Sequence, residues 1–154
     1  MSFSTNQEEI ATLRAMYDER VSRHDALAPG YQAQWRELET FLLSFGGLAV
    51  VPPVQIEGIE LFVVERGREF EAGEFLEGEP NSCHTNSAEL FLAGRVAGLA
   101  SGFALSDDGL WRPHSWGVDD EGRAVETTAT RERYVGVEFL GEAGLAFARY
   151  VLGE

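Results

Sequence analysis

Lysine is missing from this chain of 154 residues, and all 12 of its cations are arginine. No Schiff base or amine nucleophile can therefore come from a lysine side chain. Cysteine is nearly missing too. Cys83 stands alone, which excludes an internal disulfide, a redox dithiol and a multi-cysteine zinc cluster. The few cations face 26 acidic residues, for a formal net charge of −14. Such a chain offers no cationic face to a phosphate backbone, so no nucleic-acid partner is expected. The same deficit argues against anionic membrane surfaces. No apolar run approaches the ~20 residues of a membrane span. The stretch from Met1 to Asp18 lacks the basic and apolar regions of a signal peptide. These absences predict a cytoplasmic protein whose partners are neutral or basic. There is no solenoid-period repeat and no low-complexity stretch.

What is present fits one domain of ordinary size, with 44% apolar and 25% charged residues. Residues 1–47 read as helical. Ser4 to Ala26 predicts a helix, with Ser4 or Thr5 as cap, Glu8 and Glu9 in the first turn, and a stripe of Ile10, Leu13, Met16, Tyr17 and Val21. His24, near its end, suits the capping of carbonyls there. Pro29-Gly30 breaks this helix. A second one, about Tyr31 to Phe45, carries Trp35, Leu38, Phe41 and Leu42 on one side and ends at Gly46-Gly47. Leu48 to Val51 and Ile59 to Val64 are rich in strand-favouring residues, with Pro52 and Pro53 between them. From Glu57 to Glu79 the chain is dense in glutamate, which reads as a solvated surface or loop.

Cys83 to about Ala97 predicts a helix with Ser82 as its cap. Short strand-like segments follow at Leu99 to Leu105, His114 to Val118, Arg123 to Thr128 and Tyr134 to Phe139, and an amphipathic helix at Glu142 to Leu152 closes the chain. The order predicts an α+β fold, with the N-terminal helices packed on an antiparallel sheet.

A cysteine at a helix N-terminus has the means to become a nucleophile, because unpaired N–H groups and the macrodipole favour thiolate. Cys83 stands at such a point. Its base would come from elsewhere in the sequence, and His114 is the better placed candidate, alternating with Trp116 on one strand face. Glu126 would orient the imidazole, under a geometric condition. If the hairpin loop is Asp120-Glu121-Gly122, Trp116 opposes Glu126 and His114 lies diagonal to it on the same face, within reach of a Glu side chain. A loop one residue longer would place them on opposite faces. His84 adjoins Cys83, but neighbouring helical residues point about 100° apart, so it reads as structural or as a wall of the site. Asn81, Asn86 and Gln55 are side-chain candidates for an oxyanion hole alongside the Cys83 N–H, with Asn81 favoured by proximity. A metal site built from Cys83, His114 and Glu126, or from His84 with two of these, lacks the close ligand pairs that zinc sites show, so no cofactor is expected.

The span from about Asn81 to Phe139 resembles the papain-like cysteine fold in its transglutaminase-like branch. Cys83 at a helix start, His114-Ser-Trp116 on one strand, then Gly122 and Glu126-Thr-Thr128 stand where that branch has its cysteine, its histidine strand and a "Gly-x-x-x-Asp-x-Thr"-like strand. The resemblance implies Cys83 as nucleophile, His114 as base and Glu126 as orienting carboxylate. His84, Trp116, Asn81 and Asn86 are expected around the substrate from their places beside these residues. The activity implied is thiol acyl transfer (amide hydrolysis, deamidation or transglutamination) on a peptide, protein or small amide. A binding module that keeps the fold without catalysis, or an effector or toxin that modifies a protein, are the rival expectations.

Overall fold

The computed structural model describes residues 6–153. Helix α1 (Gln7–Leu27) starts at Asn6, whose side-chain oxygen accepts the Glu9 N–H at 2.9 Å. Ser4 and Thr5, the expected caps, lie outside the described residues. Ile10, Tyr17 and Val21 of the expected stripe are buried, while Met16 is 54% exposed. Helix α2 (Tyr31–Leu43) buries Tyr31, Trp35, Leu38 and Leu42. It stops short of Phe45 because Gly46 and Gly47, at φ 126° and 88°, turn the chain around Trp111. The Trp111 indole donates to the Gly46 carbonyl at 2.9 Å, and a Cβ on Gly47 would lie 2.6 Å from that nitrogen. His24 corrects a further expectation. Its Nε2 meets the Pro53 carbonyl at 2.8 Å, so it ties down the loop after strand β1 (Ala49–Val50) instead of capping its own helix.

Ile59 to Val64 is not a strand. It forms a 3-10 turn (Ile59–Phe62) running into the one-turn helix α3 (Val63–Arg66). Helical spacing brings Ile59 and Val63 together onto the cluster that holds Trp35 and Leu38, where a strand would turn alternate residues away. The same turn aims the buried Glu60 carboxylate at the Tyr31 hydroxyl, 2.9 Å away. The glutamate-rich stretch is also more than a loop. It contains strands β2 (Arg68–Phe70) and β3 (Ala72–Phe75).

Helix α4 (Cys83–Leu92) stops well before Ala97. Gly94, at φ 73°, donates to the Phe91 carbonyl, and Arg95 donates to that of Leu90. This pair of reversed bonds is the Schellman ending, which glycine makes sterically free. Strands β4 (Gly98–Leu105), β5 (Leu110–Val118), β6 (Ala124–Glu126) and β7 (Arg133–Phe139) follow, then helix α5 (Gly141–Val151).

The fold is α+β. The sheet runs β2-β7-β4-β5-β6-β3, with β1 added beside β5. It is antiparallel except where β1 meets β5 and β3 meets β6, which corrects the expectation of a purely antiparallel sheet. Its two terminal strands, β2 and β3, are consecutive in the chain and separated only by Glu71, so the sheet curls almost closed. The inner face carries Phe70, Ala100, Ala104, Trp116, Val118, Ala124 and Tyr134. Gly102 opposes both His114 and Gly136 across the strands, and a Cβ on Gly136 would lie 2.7 Å from the Trp116 ring. Gly136 leaves room for the Trp116 ring, and Gly102 lets the β7 backbone at Val135 and Gly136 approach closely. On the outer face Phe103, Leu105, Trp111 and Val135 pack against α1 and α2, and Leu99 packs against Ala88 and Ala148 of α4 and α5. Among the described residues, no helix is long and apolar enough to cross a membrane.

Candidate active site

The β5–β6 hairpin has the three-residue loop. The Asp119 N–H donates to the Arg123 carbonyl at 3.0 Å, and Gly122 takes φ 77°. Gly117 opposes Val125 and Val118 opposes Ala124, a register that places His114 and Glu126 on the inner face. His114 Nε2 lies 2.8 Å from Glu126 Oε1 and 3.1 Å from Oε2. Both residues are buried, at 3% and 4% exposure, so solvent does not dilute the contact.

The cysteine reaches this pair through a gap. One edge of β5 is occupied by β1 at Leu110 and Trp111 and by β6 at Gly117 and Val118, leaving the edge around Ser115 unpaired. The N-terminus of α4 fills it. The Cys83 thiol comes within interaction range of the His114 ring and of the Ser115 N–H, and both favour its ionised form. Because Glu126 holds Nε2, Nδ1 is the imidazole nitrogen left for sulfur. The first bond within α4 runs from the Asn86 N–H to the Ser82 carbonyl, so the Cys83, His84 and Thr85 N–H groups have no helical acceptor. Ser82 does not cap them, since its hydroxyl turns back to the Pro80 carbonyl at 3.3 Å. That overturns the expected cap and leaves donors beside the sulfur.

The electrostatics follow from these contacts. Burial alone would raise the Cys83 thiol, but the His114 hydrogen bond and charge, with the Ser115 N–H, outweigh it and hold the thiol below its ordinary value. Burial would likewise lower His114, whereas Cys83 and Glu126 hold it above the ordinary imidazole. Burial opposes the charge on Glu126 as well, yet His114, the Thr128 N–H and the Tyr134 hydroxyl bring its carboxyl down to about 2. Glu126 Oε2 also accepts from the Thr127 N–H at 2.9 Å, and Oε1 accepts from the Tyr134 hydroxyl at 2.9 Å. The arrangement weakens the proton affinity of the sulfur and strengthens that of the imidazole, whose far nitrogen faces a fixed carboxylate.

The other expected residues are placed as follows. His84 bonds the Ser115 hydroxyl through Nδ1, and Ser115 donates to Ser101 at 3.1 Å. Burial and the nearby His114 keep His84 below the ordinary imidazole value, hence neutral near pH 7. It lines a cavity on the outer face, as a wall. Trp116 is 0% exposed and sits in the inner core with its ring 6.0 Å from that of His114, so it supports the histidine and meets no substrate. Asn86 is occupied elsewhere. Its amide donates to the Glu79 carbonyl at 2.8 Å and accepts from the Glu79 N–H at 3.2 Å, clamping the loop ahead of α4. Asn81 is exposed at the entry to the helix, at φ 58°, and Gln55 is exposed in the loop after β1. From the sequence, Tyr134, Thr127 and Ser115 have no expected role, and Thr128 enters only as the threonine of the Glu126-Thr-Thr128 motif. The Thr pair directly after Glu126 was the available signal, whereas Tyr134 joins the site only through the pairing of β7 with β4. Among the described residues, no group of three or more His, Cys, Asp or Glu side chains is arranged to hold a metal ion.

No family model, curated protein or solved structure matches this chain.

Proposed function

We propose that the chain is a cysteine-dependent acyl-transfer enzyme. The observation that carries this reading is the meeting of Cys83, His114 and Glu126, assembled from a helix N-terminus and two hairpin strands, with His114 and Glu126 buried and Cys83 half-buried. The same order of cysteine helix, histidine strand and acidic strand supports the finer fold reading, papain-like in its transglutaminase-like branch.

Thiolate Cys83 attacks the carbonyl carbon of an amide, forming a C–S bond as the carbonyl π pair moves onto oxygen. Helix-terminal N–H groups beside the sulfur are the donors for that oxyanion. The tetrahedral species collapses, the C–N bond breaks, and His114 gives its Nδ1 proton to the departing nitrogen. A thioester remains. Water or an amine then attacks it, neutral His114 takes the incoming proton, the C–S bond breaks, and the thiolate–imidazolium pair is restored. Glu126 keeps the imidazole in one orientation and stabilises its charged form throughout.

The test is alkylation of Cys83 by iodoacetamide as a function of pH. The rate is expected to rise well below the ~8.5 of an ordinary thiol, and His114→Asn is expected to return the inflection to that value. A wild-type inflection at or above ~8.5 overturns the reading.

A further inference from the structure

The outer-face cavity that His84 lines has a volume of about 650 Å³, within the ~300–1,000 Å³ range of small-ligand sites. His84 and Thr85 belong to the first turn of α4, directly after Cys83. Ser101, on β4, forms the polar floor with them. Ile59, Phe139 and Phe147 form apolar walls. Continuity with the sulfur runs through Ser115, whose N–H meets Cys83 while its hydroxyl binds His84 and Ser101. With Nδ1 engaged by Ser115, His84 has Nε2 to offer to the cavity. Glu57 stands exposed at the rim. Its N–H donates to Glu60 Oε2 at 3.3 Å, and Glu60 Oε1 is buried without a hydrogen-bond partner, so the acidic side chain of Glu57 stands at this rim beside a second acid. Apolar walls, a few convergent polar atoms and a charged rim are the composition of a site that selects one group of a ligand.

We propose that this cavity is the specificity subsite of Cys83, taking an aromatic or branched aliphatic group of the substrate with a cationic group held at Glu57. The inference rests on the reading of Cys83 as nucleophile and adds the substrate class: amides whose bulky apolar portion carries a positive charge. Burial of a phenyl-sized group accounts for selectivity of about ten- to a hundredfold. The acidic rim adds discrimination by charge, repelling anionic analogues.

The experiment compares Cys83 alkylation by iodoacetamide, N-phenethyl iodoacetamide, and its para-aminomethyl and para-carboxy derivatives, each rate divided by that with free glutathione. In the wild type the phenethyl compound is expected to react at least about tenfold faster than iodoacetamide, with saturation, since a binding step precedes reaction. The aminomethyl compound should be faster still and the carboxy compound slower. Val151→Trp or Thr85→Trp, each filling the cavity from a different helix, should bring the phenethyl ratio to about one. Glu57→Gln should erase the preference for aminomethyl over carboxy. Equal normalised rates for all four probes, with Cys83 still reacting at low pH, overturn the subsite and leave the nucleophile standing. Alkylation only at the pH of an ordinary thiol overturns both.

Discussion

Glu126 shows how much structure one ionised side chain can need. A carboxylate at 4% exposure is costly unless every lone pair is answered, and here an imidazole, two backbone N–H groups and two hydroxyls answer it. Its carboxyl is brought from 4.5 to about 2, below its unfolded value, so the native state gains stability that is fully present above the unfolded pKa and lost as pH falls through the folded one. The shift corresponds to a contribution on the order of 3 kcal/mol. Urea denaturation of wild type and Glu126→Gln should show a wild-type advantage above about pH 5 that shrinks steadily toward about pH 2. A gap independent of pH over that window would mean the carboxylate is not held ionised by the fold. At this scale the sequence was informative about type and poor about company. Cys83, His114 and Glu126 were legible because a helix start and a hairpin parity constrain them. Tyr134 and Ser115 were not, because only strand pairing remote in sequence brings them in. Trp116 misled for a physical reason: the parity that puts it beside His114 also puts it inside the curled sheet.

Among the elements, the β5–β6 hairpin sets the site, and its turn sets the hairpin. Gly122 at φ 77° closes the three-residue loop, and the Asp119 carboxylate receives the Glu121 and Arg123 N–H groups, each at 2.9 Å. A side chain at positive φ costs roughly 1–2 kcal/mol, and Asn, which tolerates that region, costs less. Gly122→Val should therefore lower stability by about that amount and Gly122→Asn by less, read from urea midpoints at unchanged m-value. Equal, negligible losses would show that the turn does not need this conformation. The turn was readable because its signal is local. Ile59 to Val64 was not, since β-branched propensity there yields to packing on Trp35 and to the bond from Tyr31 to Glu60. The end of α4 was misplaced for another reason. The apolar pattern continues past Gly94, and only the left-handed glycine with its two reversed bonds stops the helix.

Over the whole molecule, charge and closure work against each other. The sheet is drawn nearly shut by Arg68, which donates to the Gly122 carbonyl at 3.1 Å and to Glu138 at 2.9 Å while its guanidinium stacks on Phe70 at 3.6 Å. A guanidinium fork suits that triple contact better than an ammonium does. Most other ion pairs lie at the surface, with partly exposed partners, and such pairs contribute little. The dominant long-range term is then the self-repulsion of a chain of net charge −14, which disfavours the compact state. Salt shortens the range of that repulsion from about 30 Å at 0.01 M to about 3 Å at 1 M, while costing only weak surface pairs. The thermal midpoint should therefore rise between low salt and about 0.5 M KCl at neutral pH, and rise less at pH near 4.5, where the net charge approaches zero. A midpoint that falls with salt at neutral pH would place the balance on the side of the ion pairs, with Arg68 the first to examine by substitution.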